Sequence, residues 1–221
     1  MKRFSILEAQ SRLYGGGTPF SNGHRSKKVG GFLENWHYLV DLDVIIYDND
    51  SVKVIIEKKF KPESKMGNIL TDRDHFQKNM LLNLCNKLGA KLFVNITSEK
   101  KYYEIVNNTT HKEWSSELVE KAIQKYFYYD SDDSVFIEFR KMEPKAIMKR
   151  VEDKINIDGL LMNMSNRLNC EIYKVDDMGD NIKFFDFNSN LVGSINHLQN
   201  EQDRPQIENE WKDVYQKMNL W

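Results

Sequence analysis

The sequence predicts an α/β fold, a mixed sheet layered with helices, on three observations. Two β-branched runs, YLVDLDVIIY at 38–47 and VKVIIEKKF at 52–60, stand on either side of a short turn. An amphipathic helix at 72–89 leads into the apolar run KLFVNIT at 91–97. A second helix at 114–128 then precedes a strand at 134–140. Helix, hairpin, helix, strand, helix, strand is the order of a sheet covered by helices.

At the start of the chain, residues 3–14 place Phe4, Leu7 and Leu13 on one side of a short helix that ends at Gly15-Gly16-Gly17. Residues 15–31 have no period and read as a loop; the triple glycine lacks the spacing of a phosphate-binding P-loop and reads as a linker. Residues 32–37 form a helical turn carrying Glu34. Asp48-Asn49-Asp50-Ser51 is the turn chemistry of a hairpin, which sets the two β-branched runs side by side and antiparallel. In the helix at 72–89, Thr71 or Asp72 caps the start, Phe76, Met80, Leu84 and Leu88 recur at helical spacing, and Gly89 ends it. A polar loop is expected at 98–113. The aromatic run Tyr126-Phe127-Tyr128-Tyr129 closes the next helix, as core and interface more than as a platform for bases. After Pro144 the pattern changes: 145–155 and 160–168 read as helices, 171–177 and 181–187 as a hairpin, and 205–218 as a closing helix in which Trp211 packs. No internal repeat is visible. The expected organisation is a core at 1–142 with a basic arm at 1–31, followed by a small α+β module at 143–221.

Composition narrows the classes. The net charge of −1 argues against a chain held to nucleic acid by bulk charge. The charge is uneven, however: residues 1–31 hold Lys2, Arg3, Arg12, Arg25, Lys27 and Lys28 against Glu8 alone. A phosphate-contacting arm and a solvated helix with a loop fit this equally. Cys85 and Cys170 make neither a disulfide framework nor a zinc spacing and read as apolar side chains. The five histidines, His75 among them, show no metal-ligand spacing and read as structural or solvent-exposed. No apolar run approaches the roughly 18 residues of a membrane span, and the polar start does not read as a secretory signal. The expected location is cytoplasmic, with no membrane partner.

The chemistry-bearing residues lie on the hairpin. Alternate side chains of a strand share a face, so Glu57 and Lys59 project together and Lys58 opposite. Asp41 and Asp43 share a face of the neighbouring strand, so two or three carboxylates and an amine converge at one sheet edge. Ionised groups beside Val44, Ile45, Ile46, Val54, Ile55 and Ile56 require a partner or a metal. Carboxylate oxygens suit Mg²⁺, with Mn²⁺ as substitute. The competing reading is a surface hairpin with an ordinary Glu57–Lys59 ion pair.

The segment VDLDVIIYDNDSVKVIIEKKF resembles the central motifs of the PD-(D/E)XK nuclease superfamily, in which an Asp on one strand precedes Glu-x-Lys on the next. The resemblance covers about residues 30–100 and implies a restriction-endonuclease-like core, with the region after it as a C-terminal α+β elaboration. It implies metal binding by Asp43 and Glu57 and a catalytic role for Lys59. Glu34 in the preceding turn is the candidate for a further acidic ligand, and Gln77 for the polar residue of the following helix. His37 is a lesser candidate ligand. The family's proline is absent, since Leu42 precedes Asp43. Asp41 is the alternative ligand; Asp43 is preferred because Val44-Ile45-Ile46 follows it directly. The implied activity is Mg²⁺-dependent hydrolysis of phosphodiester bonds, by a DNA endonuclease of phage, mobile-element or restriction type. Arg25, Lys27, Lys28, Lys58, Lys61 and Lys65 are the candidate phosphate contacts. The alternatives are a non-catalytic nucleic-acid-binding or inhibitor protein on the same fold, or an RNA endonuclease using the same site. A homodimer is expected only by analogy with relatives that cut both strands.

Overall fold

The computed structural model describes residues 37–64, 67–131, 134–140, 142–177, 181–196 and 201–220. The expected helix at 3–14, the loop at 15–31 and the turn carrying Glu34 lie outside the described residues. The predicted α/β class holds, with two mixed sheets in place of one. Among the described residues no helix is long and apolar enough to cross a membrane.

The run at 38–47 is two strands, β1 (His37–Asp41) and β2 (Val44–Asp48), and they belong to different sheets. Leu42 N–H still donates to Val135 O in the sheet that holds β1, while Asp43 O accepts from Ser131 N–H in the sheet that holds β2. The chain changes sheets between these two residues. An unbroken apolar run cannot announce this, because both of its ends are buried. β2 turns into β3 (Ser51–Lys59) as expected, through Asn49 and Asp50 at φ 48° and 60°. Positive φ at both central residues makes this a type I′ turn, whose twist matches that of the strands.

A short hairpin, β4 (Glu63–Ser64) and β5 (Gly67–Asn68), precedes α1 (Phe76–Leu88). The helix starts at Phe76, later than its periodicity suggests, because His75 caps it by accepting the Lys78 N–H at its side chain. Gly89 ends it at φ 65°, in the left-handed region that glycine enters at least cost. β6 (Lys91–Ile96) then runs parallel to β3. The expected polar loop at 98–113 contains β7 (Lys101–Ile105) and β8 (His111–Trp114), which extend the sheet as a meander. Helix α2 (Ser116–Ile123) is shorter than its periodicity suggests, because 127–130 is recruited as β9 (Phe127–Asp130) to the free edge of β2.

β10 (Val135–Arg140) is where the sequence places it, but 145–155 is not helical: β11 (Glu143–Arg150) is a strand. Ala146, Ile147 and Met148 are all buried because the sheet is covered on both faces, which erases the alternation that marks a strand. Helix α3 (Asp158–Leu168), strands β12 (Glu171–Asp176) and β13 (Asn181–Asp186), and helix α4 (Arg204–Lys217), with Trp211 buried, follow the prediction. β14 (Leu191–Asn196) was not foreseen. The expected division at 142/143 falls at the turn of the β10–β11 hairpin, whose strands pair with each other.

The sheet orders are β9-β2-β3-β6-β7-β8 and β1-β10-β11-β12-β13-β14. Each runs antiparallel, antiparallel, parallel, antiparallel, antiparallel, with the parallel step bridged by α1 or α3. The same fold is therefore built twice, contrary to the reading of no repeat. Register agrees in detail: the bulge at Ile46/Tyr47 recurs at Glu138/Phe139. Sequence agreement is sparse: Leu81, Asn83, Asn86 and Leu88 of the central helix match Leu161, Asn163, Asn166 and Leu168, and Ile45 and Ile55 of the strands match Ile137 and Ile147. Both helices end left-handed, at Gly89 and at Asn169 (φ 52°). The two halves exchange their first strands: β1 precedes β2 but joins the second sheet, and β9 precedes β10 but joins the first.

Packing follows from the duplication. α1 and α3 touch each other and are sandwiched between the sheets, in a core that includes Ile45, Ile55, Leu84, Ile137, Ile147 and Leu160. α2 covers the outer face of the first sheet through Val119, and α4 covers that of the second through Ile207, Trp211 and Tyr215.

Candidate active site

The Glu57 side chain points from β3 towards the first turn of α1, on the same face as Ile55. Only 2% of it is exposed. Gln77 Nε2 donates to Glu57 Oε1 at 2.8 Å, and Lys59 Nζ makes an ion pair with the same oxygen. Glu57 Oε2 is buried and has no hydrogen-bond partner among the described residues. Burial raises the Glu57 carboxyl from 4.5 to about 8; Lys59 opposes the shift, while Asp43 and Asp41 add to it. Lys59 is pulled down by burial, but the carboxylates of Glu57, Asp41 and Asp43 outweigh this and keep it charged.

Asp43 sits where the chain crosses between sheets. Its Oδ2 accepts the Lys58 backbone N–H at 2.5 Å. In the second half the equivalent N–H, that of Arg150, bonds to the Ser134 carbonyl at 2.8 Å. The Asp43 carboxylate thus replaces a backbone acceptor at the end of the ladder, a structural task beside any catalytic one. Asp41 and Asp43 both lie within electrostatic reach of Glu57, with Asp43 the stronger influence.

His75 completes the surroundings and was not singled out by sequence. It is buried, its Nδ1 accepts the Lys78 N–H at 3.4 Å, and burial followed by the Lys59 and Lys78 charges lowers it to about 4. The imidazole is therefore neutral at neutral pH. The one available signal was its place immediately before the helix that carries Gln77. Lys78 is also buried, and its ammonium donates to the carbonyls of Asp72 at 2.5 Å and Asn108 at 2.7 Å. These bonds tie the entry of α1 to the β7–β8 loop.

The structure thus brings Asp43, Asp41, Glu57, Lys59 and Gln77 together. Glu34, Arg25, Lys27, Lys28 and Lys65 lie outside the described residues, as does the side chain of His37. Lys58 points to the opposite face, where its Nζ pairs with Asp130 at 2.7 Å. Lys61 is exposed beyond the end of β3. Among the described residues no group of three or more His, Cys, Asp or Glu is gathered as a metal cage. The donor set still fits Mg²⁺, which takes one or two carboxylates and completes its shell with water and substrate phosphate. The partnerless Glu57 oxygen is the observation in favour. A cavity of about 400 Å³ lies elsewhere, in the second half, lined in part by Lys149, Lys154, Lys174 and Phe185.

No family model matches this chain, and neither a curated protein nor a solved structure matches it.

Proposed function

We propose that the chain is a Mg²⁺-dependent nuclease that hydrolyses phosphodiester bonds, an endonuclease acting on DNA, with Asp43, Glu57, Lys59 and Gln77 as its working residues. The observation that carries this reading is the Glu57 carboxyl: buried, within electrostatic reach of Asp43 and Asp41, with one oxygen held by Lys59 and Gln77 and the other without a partner among the described residues. A carboxyl so placed stays protonated near neutral pH unless a cation joins it. The order β2, β3, α1, β6, with β6 parallel to β3, supports a restriction-endonuclease-like core in the first half.

Asp43 and Glu57 would hold the ion, with Asp41 as the alternative to Asp43. A bound Mg²⁺ supplies charge neutralisation at the phosphate and a more acidic water. The chain's own residues do the rest. Gln77 fixes the Glu57 rotamer by holding Oε1, which leaves Oε2 for an ion. Lys59, released from Glu57, directs its ammonium to the scissile phosphate or the attacking water. Neutral His75 helps keep the entry to α1 dry and adds no competing positive charge.

One observation favours a second reading, a nucleic-acid-binding protein that does not cut: Lys59 already occupies one oxygen of Glu57, and Asp43 has a backbone partner. The test is incubation with supercoiled plasmid, single-stranded DNA and RNA, each with Mg²⁺, Mn²⁺ or EDTA. Cutting that needs a metal and disappears in Glu57→Gln and Lys59→Ala supports the nuclease. Cutting confined to RNA reassigns the substrate. Retention of nucleic acid with no cutting under either metal leaves the second reading.

A further inference from the structure

We infer that the second half of the fold grips a nucleic-acid phosphate at the place where the first half carries its acidic site, through Lys149, Lys154 and Lys174 around the cavity. Register fixes the equivalence. Glu57 pairs with Val94 across the parallel β3–β6 step, and Lys149 pairs with Lys174 across the parallel β11–β12 step. Lys91 and Glu171 begin the two second strands, so Val94 corresponds to Lys174 and Glu57 to Lys149. One half therefore presents a buried carboxyl beyond the ends of its parallel strands, and the other presents cations. The carboxyl ends of parallel strands are the usual location of ligands in such sheets.

The cavity of about 400 Å³ opens at this point and is also lined by Ile155, Phe185 and Ser189. Two carboxylates share the lining, and one of them, Asp153, is engaged. Asp153 accepts the Tyr129 hydroxyl at Oδ2 and the Ile155 N–H at Oδ1, and Asp158 lies in the first turn of α3. Arg150 pairs with Asp177 and stacks on Phe136. The three lysines differ in this respect. Lys149 donates to the Ile155 carbonyl at 2.7 Å and Lys174 to the Ser189 hydroxyl at 3.2 Å. Among the described residues no ion pair ties Lys149, Lys154 or Lys174 to a carboxylate. The lining still carries an excess of positive charge, three lysines and Arg150 against Asp153 and Asp158, and cations in excess around a cavity are what a phosphate replaces water to reach.

The identity of the anion as a nucleic-acid backbone rests on the proposed nuclease reading; the anion site itself does not. The chain then has one cutting half and one gripping half, so it nicks one strand for each duplex it engages. The test is anisotropy of a short labelled duplex in EDTA across a salt series, for the parent, for Lys154→Glu/Lys174→Glu, and for the control Lys112→Glu/Lys125→Glu. Lys154 is exposed and Lys174 partly so, and thermal melts verify folding. The expected result is at least tenfold weaker binding in the cavity variant alone, with the slope of log affinity against log salt reduced by about 1.8, the release expected for two phosphate contacts. Unchanged duplex affinity and slope overturn the backbone assignment. If calorimetric binding of inorganic phosphate is also absent, or is equal in the parent and the cavity variant, the anion site itself is overturned. Cavity-dependent duplex binding in a protein that cuts nothing with any metal upholds the site and removes only the nuclease reading.

Discussion

Replacing Glu57 by Gln separates a carboxyl that awaits a cation from one that merely completes an ion pair. In the folded protein without metal, Glu57 holds its proton up to about pH 8, whereas its ordinary value is 4.5. Between those values the native state binds more protons than the unfolded chain, so stability falls as pH rises through the window. At about 1.36 kcal/mol per pKa unit, the shift amounts to a ceiling on the order of 5 kcal/mol. From pH 6 to pH 8 the expected loss in EDTA is roughly 2 to 3 kcal/mol, or about 4 to 12 °C in Tm at about 2 to 4 °C per kcal/mol for a chain of this size. Glu57→Gln keeps the bond with Gln77 within reach and has no proton to lose, so its Tm should be flatter over the same range and higher than the parent's at pH 8. Excess Mg²⁺ should restore the parent at pH 8 and leave the variant unmoved, because the ion takes the proton's place. Scanning fluorimetry at pH 6, 7 and 8, with EDTA and with Mg²⁺, measures all of this. Parallel profiles for parent and variant, or an equal Mg²⁺ shift in both, would refute the argument.

The remaining expectations concern the neighbours of Glu57 and the seam between the halves. Asp43→Asn retains a carbonyl oxygen for the Lys58 N–H, so it should fold like the parent and lose metal-dependent cutting; Asp43→Ala should lose both cutting and about 1 to 3 kcal/mol of stability, read by denaturant titration. Gln77→Ala frees the Glu57 rotamer and should lower Mg²⁺ affinity or turnover by about 10- to 100-fold, as loss of a supporting partner does at metal sites. Mg²⁺ affinity, followed by calorimetry, should rise about tenfold per pH unit below pH 8, because the ion displaces one proton. Tyr129→Phe removes the hydroxyl that β9 donates to Asp153 of the second half and should cost about 1.5 to 3 kcal/mol in urea denaturation, with no effect on metal affinity.

The hairpin and its side chains were legible because their determinants are local. β-Branched residues flank Asn49 and Asp50, and a spacing of two puts Glu57 and Lys59 on one face. Gln77 was nominated through the resemblance, which expects a polar residue from the helix that follows the hairpin. What escaped was fixed by distant partners. The break at Leu42 and Asp43 depends on β10, nearly a hundred residues away, and nothing in VDLDVII records it. β11 looked helical because both of its faces are buried, and β9 looked helical because an amphipathic helix runs into it. His75 was hidden among five histidines until α1 was seen to start beside it. The repeat escaped because the two halves agree mainly in α1 and α3, while the site positions that differ, Glu57 and Lys149, carry opposite charge.

The exchange of β1 and β9 has a consequence for how the chain can be assembled and divided. Neither half can finish its sheet from its own residues: the edge next to β10 waits for a strand made long before it, and the edge next to β2 waits for one made long after. Pairings such as Asp41 with Phe136 close a loop around the whole first half, so they form late and make folding slow relative to a chain of the same length with local pairings. A ribosome releasing the first half releases a sheet with an open edge and a stranded β1, a surface that recruits other copies when concentration is high. Cutting the chain at the link between α2 and β9 leaves two fragments that each lack a strand and hold a spare one. Mixed together, they have the geometry of a heterodimer that closes by mutual strand donation, and separately each is a sheet awaiting its edge.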